Sequence, residues 1–408
     1  MKEVTLLGEL SQAEEGEAGG IFRDFIRGAV ISSFVEVIRA EVNSLCGQKH
    51  KPLGDDSPYR AGSAPGVCIL EGRSERVSRP RVRRKTADGS EEVHLASYAA
   101  SNDAGAVREA LLRALMANVS GRDQKMVYPE SPLTSKSSVS RMWMRESLKK
   151  VEELRGRELS GESFFGLMLD GIKLSKDLTA VVAIGMTCDG RKIVLDFQIG
   201  GSENREVCDD LVKRIVRRGF RPVERLYTVL DGSDALKGSV LAIYPDAVTQ
   251  RCLIHKERNI RGYLSKRHYS ELAGFFKRLR NAQGPEAARE ICKELHSFLS
   301  SKNSNALQSL EEAGEDIIAM HLIDAPASLN VSLLSTNFIE NAFRNVRAKI
   351  GRVKRWRAET DQAERWLAYG LLEAERGFRR MRGYEDIKEL LKKLKKPNLH
   401  GSVQENAA

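Results

Sequence analysis

Residues 164–171 read Phe-Phe-Gly-Leu-Met-Leu-Asp-Gly, an apolar run that ends in a carboxylate and a glycine. Two further apolar runs follow at 179–186 and 192–199, and turn residues at 188–190 separate them. Runs of this length that are rich in Val, Ile, Leu and Phe predict three consecutive buried strands. The stretch therefore predicts the start of a sheet, with Asp170 at the end of its first strand.

The chain after the third run alternates between helical and strand patterns. Residues 204–218 have the spacing of an amphipathic helix, and residues 225–230 form an apolar run that ends at Asp231. A short helix over 236–243 and a strand over 247–252 come next. The order β-β-β-α-β-α-β predicts a mixed α/β sheet. The first and fourth strands are neighbours in a ribonuclease-H-like sheet, and that arrangement would bring their terminal carboxylates together.

The chain beyond these strands is predicted to be helical. Residues 255–324 have helical spacing throughout, interrupted at Gly284-Pro285, and they predict an all-helical insertion. One or two long basic helices are expected over 335–369.

The N-terminal part of the chain has a different pattern. A helix is predicted over 21–46, a small basic sheet over 67–94, and two further helices over 104–117 and 135–155. The Ser-rich start of the last helix suits a helix N-terminus. These two helices resemble a helix-turn-helix, and two packed helices joined by a loop explain the pattern equally well.

Composition and charge narrow the classes of function. The chain has 408 residues, and Lys and Arg outnumber Asp and Glu by 66 to 56, which gives a net charge of +10. A basic balance of this size favours a polyanionic partner. No apolar run approaches the roughly 18 residues of a membrane span, the first residues lack the pattern of a signal peptide, and six scattered cysteines are not a disulfide framework. We therefore expect an intracellular protein outside the membrane.

Three carboxylates stand where they could converge. Asp170 and Asp231 each follow an apolar run and precede a glycine, and Glu340 lies on a helix that Ser335 or Thr336 would cap. A carboxylate at the end of a buried strand is costly unless it is paired or bound to a metal. Three oxygen ligands from separate elements favour Mg²⁺ or Mn²⁺. Position alone leaves open that the two Asp-Gly pairs are ordinary turns.

Residues 250–259, Gln-Arg-Cys-Leu-Ile-His-Lys-Glu-Arg-Asn, resemble the signature that follows the second catalytic Asp in Mutator-type DDE transposases of bacterial and archaeal insertion sequences. Asp231-Gly232 precedes them at the family's spacing, and residues 335–340 resemble the stretch around the catalytic Glu. The resemblance covers about residues 55–370. Shorter matches lie at Leu169-Asp170-Gly171, Ala183-Ile184-Gly185, Arg218-Gly219-Phe220, Tyr59-Arg60-Ala61-Gly62 and Pro80-Arg81-Val82-Arg83.

The resemblance implies a catalytic site made of Asp170, Asp231 and Glu340, which would also bind two Mg²⁺ ions, with Mn²⁺ as a substitute. It implies cleavage of double-stranded DNA at terminal inverted repeats and transfer of the freed 3′-hydroxyl into target DNA. Because two ends must be joined, a homodimer or a higher assembly on DNA is expected. The expected location is the cytoplasm of a prokaryote, at the nucleoid, with no membrane partner.

The fold class that follows is α/β, with a ribonuclease-H-like mixed sheet as the catalytic domain, an all-helical insertion and a mostly helical N-terminal DNA-binding region. The predicted divisions are 1–55 (N-terminal helical region), 56–160 (DNA-binding region with a small basic sheet and a helix-turn-helix-like segment), 161–255 (catalytic domain, first part), 256–330 (helical insertion), 331–385 (catalytic domain, second part, with the helix of the catalytic Glu) and 386–408 (basic tail).

Three departures from the family pattern support a second hypothesis. Asp234-Ala235 replaces a Gly-containing turn, Cys208 stands where Trp is common, and Phe343 replaces an Asn that often follows the catalytic Glu. They indicate a divergent branch or a decayed copy, so the alternative is a catalytically inactive DNA-binding protein derived from a transposase. The presence of all three carboxylates argues against it.

Cys252 and His255 have the spacing of half a zinc site, and Cys292 and His296 could supply the other half, as in a zinc-dependent regulator. We favour a supporting role for Cys252 and His255 beside the active site, where they would orient the start of the insertion. A core Cys and a surface His remain a third interpretation.

Basic and polar residues in two regions are candidate DNA contacts. Residues 341–357 contain no Asp or Glu, and a helix that continues from Glu340 would lay their cations along the DNA. The candidates are Arg81, Arg83, Arg84, Ser137, Ser140, Arg141, Arg344, Arg347, Arg352, Lys354 and Arg355.

Overall fold

A computed structural model describes most of the chain. The described residues are 11, 13, 14, 17–70, 73–102, 105–117, 119–127, 131–201, 204–351, 353, 355–357 and 359–395. The chain divides into two compact units, with the boundary between Trp143 and Met144. No helix within the described ranges has the length and apolar character needed to cross a membrane.

The first unit contains a three-stranded antiparallel sheet and helices. The elements are α1 (Ala18–Cys46), β1 (Tyr59–Leu70), β2 (Arg73–Thr86), β3 (Gly89–Val93), α2 (Ala96–Ser101), α3 (Gly105–Met116), α4 (Gln124–Val127) and the start of α5 (Lys136–Gly156). A 3₁₀ turn, Pro132–Thr134, precedes α5. The strands are ordered β1-β2-β3.

One face of α1 forms the core of this unit with the sheet. The buried side chains from the second half of α1 contact Val82 of β2 and Leu95, which immediately precedes α2. The predicted helix, small sheet and two later helices are therefore present in the structure. The longer of the later helices, α5, continues into the second unit.

The second unit is a mixed α/β structure with a five-stranded sheet. Its first elements are β4 (Phe164–Lys173), β5 (Thr179–Thr187), β6 (Lys192–Gly200), α6 (Arg205–Arg217), β7 (Pro222–Leu230), α7 (Asp234–Leu241) and β8 (Val248–Arg251). The strand order is β6-β5-β4-β7-β8. Strands β4, β5 and β6 pair antiparallel, whereas β4–β7 and β7–β8 are parallel. The first and fourth strands of this sheet are thus neighbours, as expected.

Helices make up the rest of this unit. They are α8 (Leu253–Gly262), α9 (Tyr269–Asn281), α10 (Gly284–Ser300), α11 (Ser304–Ala313), α12 (Ala319–Leu322), α13 (Asn330–Leu333), α14 (Asn337–Ile350), α15 (Gln362–Glu375) and α16 (Ile387–Lys393). Four 3₁₀ turns, Lys266–His268, Gly314–Ile318, Ala327–Leu329 and Tyr384–Asp386, lie among them. The stretch predicted to be a helical insertion is helical, and its predicted interruption at Gly284 separates α9 from α10.

Side-chain alternation along β4 separates a core face from a site face. Leu167 and Leu169 belong to the apolar cluster that α6 and α7 cover. Because side chains of a strand alternate between faces, Asp170 points to the opposite face, and α14 contacts this strand. The sheet therefore holds one carboxylate away from the main core.

Three predicted boundaries are wrong. The small sheet begins at Tyr59 rather than at residue 67, because Tyr59 and Arg60 already pair with β2. Strand β4 does not end at Asp170 but continues to Lys173, because Gly171, Ile172 and Lys173 still pair with β5. The basic stretch 341–357 is not one helix, since α14 ends at Ile350.

Candidate active site

The register of two parallel strands places Asp170 beside Asp231. Leu169 of β4 pairs with Leu230 of β7, so the residues that follow them are neighbours on the same face of the sheet. Cys252, which directly follows β8, continues this row, and its N–H donates to the carbonyl of Leu230 at 2.8 Å. Sequence reasoning predicted the convergence of the two carboxylates, and the structure brings them together.

The Asp170 carboxylate is almost completely buried, with 4% of the residue exposed. Burial raises the pKa of Asp170 to about 7; the nearby charge of Asp231 also raises it, and His255 opposes the rise. Its Oδ1 accepts a hydrogen bond from the N–H of Gly171 at 2.9 Å. Its Oδ2 is buried and accepts no hydrogen bond of good geometry from a described residue, although the Thr336 side chain acts to lower the pKa of this carboxyl. A buried oxygen of this kind beside a second carboxylate suits a cation.

Asp231 lies in the turn that follows β7. Its Oδ1 accepts a hydrogen bond from the N–H of Ser233 at 2.9 Å. The intervening Gly232 has φ +108°, a conformation that favours glycine. A Cβ at Gly232 would stand 1.4 Å from Cζ of Arg251, so the turn also requires glycine for space.

Glu340 lies in the first turn of α14 and is partly exposed. Its Oε1 is 2.9 Å from Nε2 of His255 and 3.4 Å from Nη1 of Arg258. Both cations come from α8, which begins just after β8. Glu340, the third predicted acid, is therefore connected through His255 to the edge of the sheet where Asp170 and Asp231 lie.

Thr336 precedes α14 and takes the N-cap position, but its side chain does not cap the helix. Its N–H donates to Sγ of Cys252 at 3.3 Å, and its hydroxyl lies 3.4 Å from both that sulfur and Nδ1 of His255. The expected side-chain cap is thus replaced by a contact that joins the start of α14 to the end of β8.

Cys252 and His255 form a coupled pair. Burial acts to raise the pKa of Cys252, yet the hydrogen bond with His255 brings the pKa of this thiol below its ordinary value. That same hydrogen bond raises the pKa of His255 to about 9, and the charges of Asp170 and Glu340 contribute to the rise. His255 is therefore a cation at neutral pH between two of the predicted catalytic carboxylates.

Three further residues of the 250–259 stretch connect the site to the helical insertion, and sequence reasoning assigned them no role. The buried amide of Gln250 donates to the carbonyl of Ile317 at 3.0 Å and accepts from the N–H of Met320 at 2.9 Å. Gln250, Arg251 and Lys256 all lie in the 250–259 motif that follows Asp231, and this placement was a signal in the sequence. Their partners, however, lie about sixty residues further along the chain.

Arg251 and Lys256 share one carboxylate of α11, that of Glu312. Arg251 donates to the carbonyl of Gly232 at 2.8 Å and lies 3.1 Å from Glu312. Lys256, whose side chain is fully buried, lies 2.7 Å from the same Glu312 and donates to the carbonyl of Ser309 at 2.6 Å. Helix α11 is thereby joined to the turn that carries Asp231.

The structure does not assemble the alternative zinc site. Within the described residues, no group of three or more His, Cys, Asp or Glu side chains is arranged to hold a metal ion. Cys292 and His296 lie on α10, where Nε2 of His296 is 3.1 Å from Glu311. Cys252 and His255 instead contact Thr336 and Glu340.

The arginines of β2 that were predicted to bind DNA differ in their surroundings. Arg81 is ion-paired with Glu92 at 2.9 Å, and Arg83 donates to the carbonyl of Ser90 at 2.9 Å. Arg84 is exposed. Of the three, Arg84 is the cation most available to a phosphate.

The other candidate DNA contacts also fall in separate places. Ser137, Ser140 and Arg141 are exposed on the first two turns of α5, on one side of the helix. Arg344 and Arg347 are exposed on α14, and Arg355 is exposed but lies beyond the end of that helix. Arg352 and Lys354 lie outside the described residues.

Comparison with known proteins decides the family. Residues 1–379, almost the whole chain, match the family described as "Transposase, Mutator family". This chain belongs to the Mutator family of transposases. The assignment confirms the resemblance found in the sequence. Matched relatives of this Mutator-family chain include the transposase for insertion sequence element IS1201 of Lactobacillus helveticus, with 28% identity over 208 residues, 50% of this chain and 55% of the relative.

A second relative is the transposase for insertion sequence element IS256 in transposon Tn4001 of Staphylococcus aureus, with 28% identity over 259 residues, 60% of this chain and 64% of the relative. A third is the transposase for insertion sequence element IS6120 of Mycolicibacterium smegmatis, with 26% identity over 198 residues, 47% of this chain and 60% of the relative. The Mutator-family chain thus spans less than two thirds of the length of these relatives.

Proposed function

We propose that this chain is a DDE transposase that binds terminal inverted repeats, cleaves DNA strands at the transposon ends and transfers the freed 3′-hydroxyl into target DNA. The observation that carries the proposal is the placement of Asp170 beside Asp231 on one face of the sheet, with Glu340 connected to them through His255. The curated relatives are insertion-sequence transposases.

The arrangement of the second unit supports a ribonuclease-H-like catalytic domain. Strands β4 and β7, the first and fourth of its five-stranded sheet, are parallel neighbours, as expected for that fold. Helices α8 to α13 separate the strands from α14, which carries Glu340. The order of elements is therefore compatible with a catalytic domain interrupted by an all-helical insertion.

The donor set of the proposed site is chemically suited to Mg²⁺, with Mn²⁺ as a substitute. Asp170, Asp231 and Glu340 would hold two ions. In the described residues these three side chains are not grouped as metal ligands, so Glu340 would first have to leave His255 and Arg258. When bound, two such ions activate the attacking oxygen and stabilise the leaving oxygen of a phosphodiester. The protein's own part is to bury Asp170, to fix Asp231 by the turn at Gly232, and to hold Glu340 near them through His255.

DNA binding is proposed for both units. Arg84, Ser137, Ser140 and Arg141 are exposed in the first unit, where they could recognise the inverted repeats. Arg344 and Arg347 follow Glu340 on α14 and could contact phosphates close to the reacting strand. An assembly of at least two copies on DNA would allow both ends to be joined.

One observation favours the alternative of an inactive DNA-binding protein. The carboxylate of Glu340 is already paired with two cations, His255 and Arg258. In an active enzyme this carboxylate must exchange at least one of those contacts for a metal ion.

The test uses the full chain and a linear DNA that carries the sequences flanking its gene. We expect nicking with Mg²⁺ or Mn²⁺, and binding with little cleavage in Ca²⁺. Asp170→Ala, Asp231→Ala and Glu340→Ala should each abolish cleavage and strand transfer while retaining DNA binding. Binding without metal-dependent cleavage by the wild-type chain would establish the inactive alternative. Full cleavage by any of the three variants would remove that residue from the site.

A further inference from the structure

Helix α1 carries apolar side chains on two opposite faces. One face is buried against the three-stranded sheet. The other face carries four exposed large apolar side chains: Phe22 (50%), Ile26 (45%), Val30 (42%) and Val37 (56%). A helix that is apolar on both faces is normally buried on both. The second face therefore has the character of an interface.

The exposed face also has the spacing of a helix-packing seam. Gly19, Ile26, Ser33 and Ala40 recur every seven residues, and all four are exposed. Phe22, Ala29 and Val37 lie between them on the same side. Seven-residue spacing is typical of helices that pack along their length. Small residues at Gly19, Ser33 and Ala40 allow two such helices to approach closely.

We propose that this face binds the same face of α1 in a second copy of the chain, with the two helices antiparallel. If the two-fold axis passes between residues 29 and 30, Phe22 meets Val37 of the second copy. Ile26 then meets Ser33, and Gly19 meets Ala40.

Charge favours this antiparallel register. Arg23 and Glu36 are both exposed and flank the apolar residues. In the antiparallel pair, Arg23 lies at the height of Glu36 of the second copy, across the apolar seam, twice by symmetry. A parallel pair would instead place Arg23 beside Arg23 and Glu36 beside Glu36, which like charges disfavour.

The size of the contact sets the expected strength. The seam from Gly19 to Ala40 is roughly 30 Å long at 1.5 Å per residue. A helix pair of that length approaches the about 1,000 Å² that a specific interface needs. We therefore expect a weak, reversible dimer. The inference goes beyond the assembly on DNA proposed above by naming a contact surface, and it does not depend on catalysis, because an inactive chain would dimerise equally well.

The experiment is sedimentation equilibrium of the full chain without DNA. The wild type is expected to be in monomer–dimer equilibrium. Val30→Asp should be monomeric, and its far-UV circular dichroism should match the wild type, because the face of α1 that packs on the sheet is unchanged. Arg23→Glu and Glu36→Arg should each weaken the dimer several-fold, whereas the double variant Arg23→Glu/Glu36→Arg should recover wild-type affinity.

Cysteine cross-linking determines the direction of the helices. Ile26→Cys/Ser33→Cys should form a covalent dimer on mild oxidation. Phe22→Cys alone should not, since antiparallel packing separates the two copies of position 22 by roughly 20 Å. A monomeric wild type, a Val30→Asp variant that still dimerises, or efficient cross-linking through Phe22→Cys would each overturn the proposal.

Discussion

The Nε2 atom of His255 lies 2.9 Å from Oε1 of Glu340, and its Nδ1 lies 3.4 Å from the hydroxyl of Thr336. The ring is held on both sides by the start of α14, while its own helix follows directly from β8. In the metal-free chain, His255 therefore supplies the positive charge that Asp170 and Glu340 share. This contact is what joins the third proposed catalytic residue to the other two.

The pKa of His255 should be about 9 in the metal-free protein, and Cys252→Ala should lower it, because the hydrogen bond with Cys252 is its largest cause. Because the pKa of His255 in the folded chain lies above its ordinary value of 6.5, protonated His255 stabilises the fold. This contribution is full below about pH 6.5 and is lost as the pH rises through about 9. Histidine NMR titration measures the shift. Glu340→Gln, which removes a weaker contribution, is the matched comparison; a larger drop in that variant would contradict the order of causes.

Asp170→Asn should raise the thermal stability of the metal-free chain. The folded-state pKa of Asp170 is about 7 against an ordinary value of 3.8, so ionising this buried group lowers stability as pH rises from about 4 to 7. The amide avoids that penalty, which is at most about 4 kcal/mol. Thermal unfolding at pH 5 and pH 8 should show a larger gain at pH 8.

The comparison that separates charge from packing is Asp170→Leu. This variant also removes the charge but places no hydrogen-bonding group opposite the N–H of Gly171. If Asp170→Asn is no more stable than the wild type at pH 8, then burying the ionised Asp170 carboxylate does not lower the stability of the fold. Magnesium should raise the unfolding temperature of the wild type and leave that of Asp170→Asn unchanged.

Sequence patterns predicted the strands of the second unit because each is a short apolar run bounded by turn residues. The expectation that Asp170 and Asp231 converge came from the ribonuclease-H-like arrangement, in which the first and fourth strands are neighbours; in the structure these two strands are parallel and bring both residues to one edge of the sheet. Sequence patterns did not predict that β4 continues past Asp170, because its last residues depend on pairing with β5 rather than on apolar character. Nor could they place Gln250 or Lys256, whose partners are distant in sequence.

Gly232→Ala should destabilise the second unit by at least about 2 kcal/mol. Its φ of +108° disfavours any side chain, and the new Cβ would stand 1.4 Å from Cζ of Arg251. Moving Arg251 away breaks its hydrogen bond to the carbonyl of Gly232 and its contact with Glu312. Urea unfolding gives the free-energy change.

Gly314→Ala is the matched control for this effect. Gly314 also has a positive φ, +51°, but no heavy atom lies within 4 Å of its Cβ position, so the substitution should cost backbone strain without the additional clash. Arg251→Ala should recover part of the loss in the Gly232→Ala background. Equal losses for the two glycine variants would show that Arg251 does not constrain the turn.

The arginines proposed to contact DNA differ in whether a carboxylate already pairs with them. Arg84, Arg344, Arg347 and Arg355 are exposed, whereas Arg81 is bound to Glu92 at 2.9 Å. A phosphate contact releases counterions, so losing one exposed arginine should reduce the slope of log affinity against log salt by roughly one unit. Arg81→Ala should change the slope less, because that guanidinium is already neutralised by a carboxylate. Binding isotherms at several salt concentrations measure each slope.

Specific and random DNA should lose affinity about equally in Arg344→Ala and Arg347→Ala, because phosphate contacts carry no sequence information. Ser140→Ala and Arg141→Ala should instead weaken binding mainly to the inverted repeats, since their helix start is the proposed recognition element. If the slope is unchanged in all four exposed-arginine variants but falls in Arg81→Ala, then Glu92 must release Arg81 on binding. The DNA would then follow β2 and β3 of the first unit rather than α14.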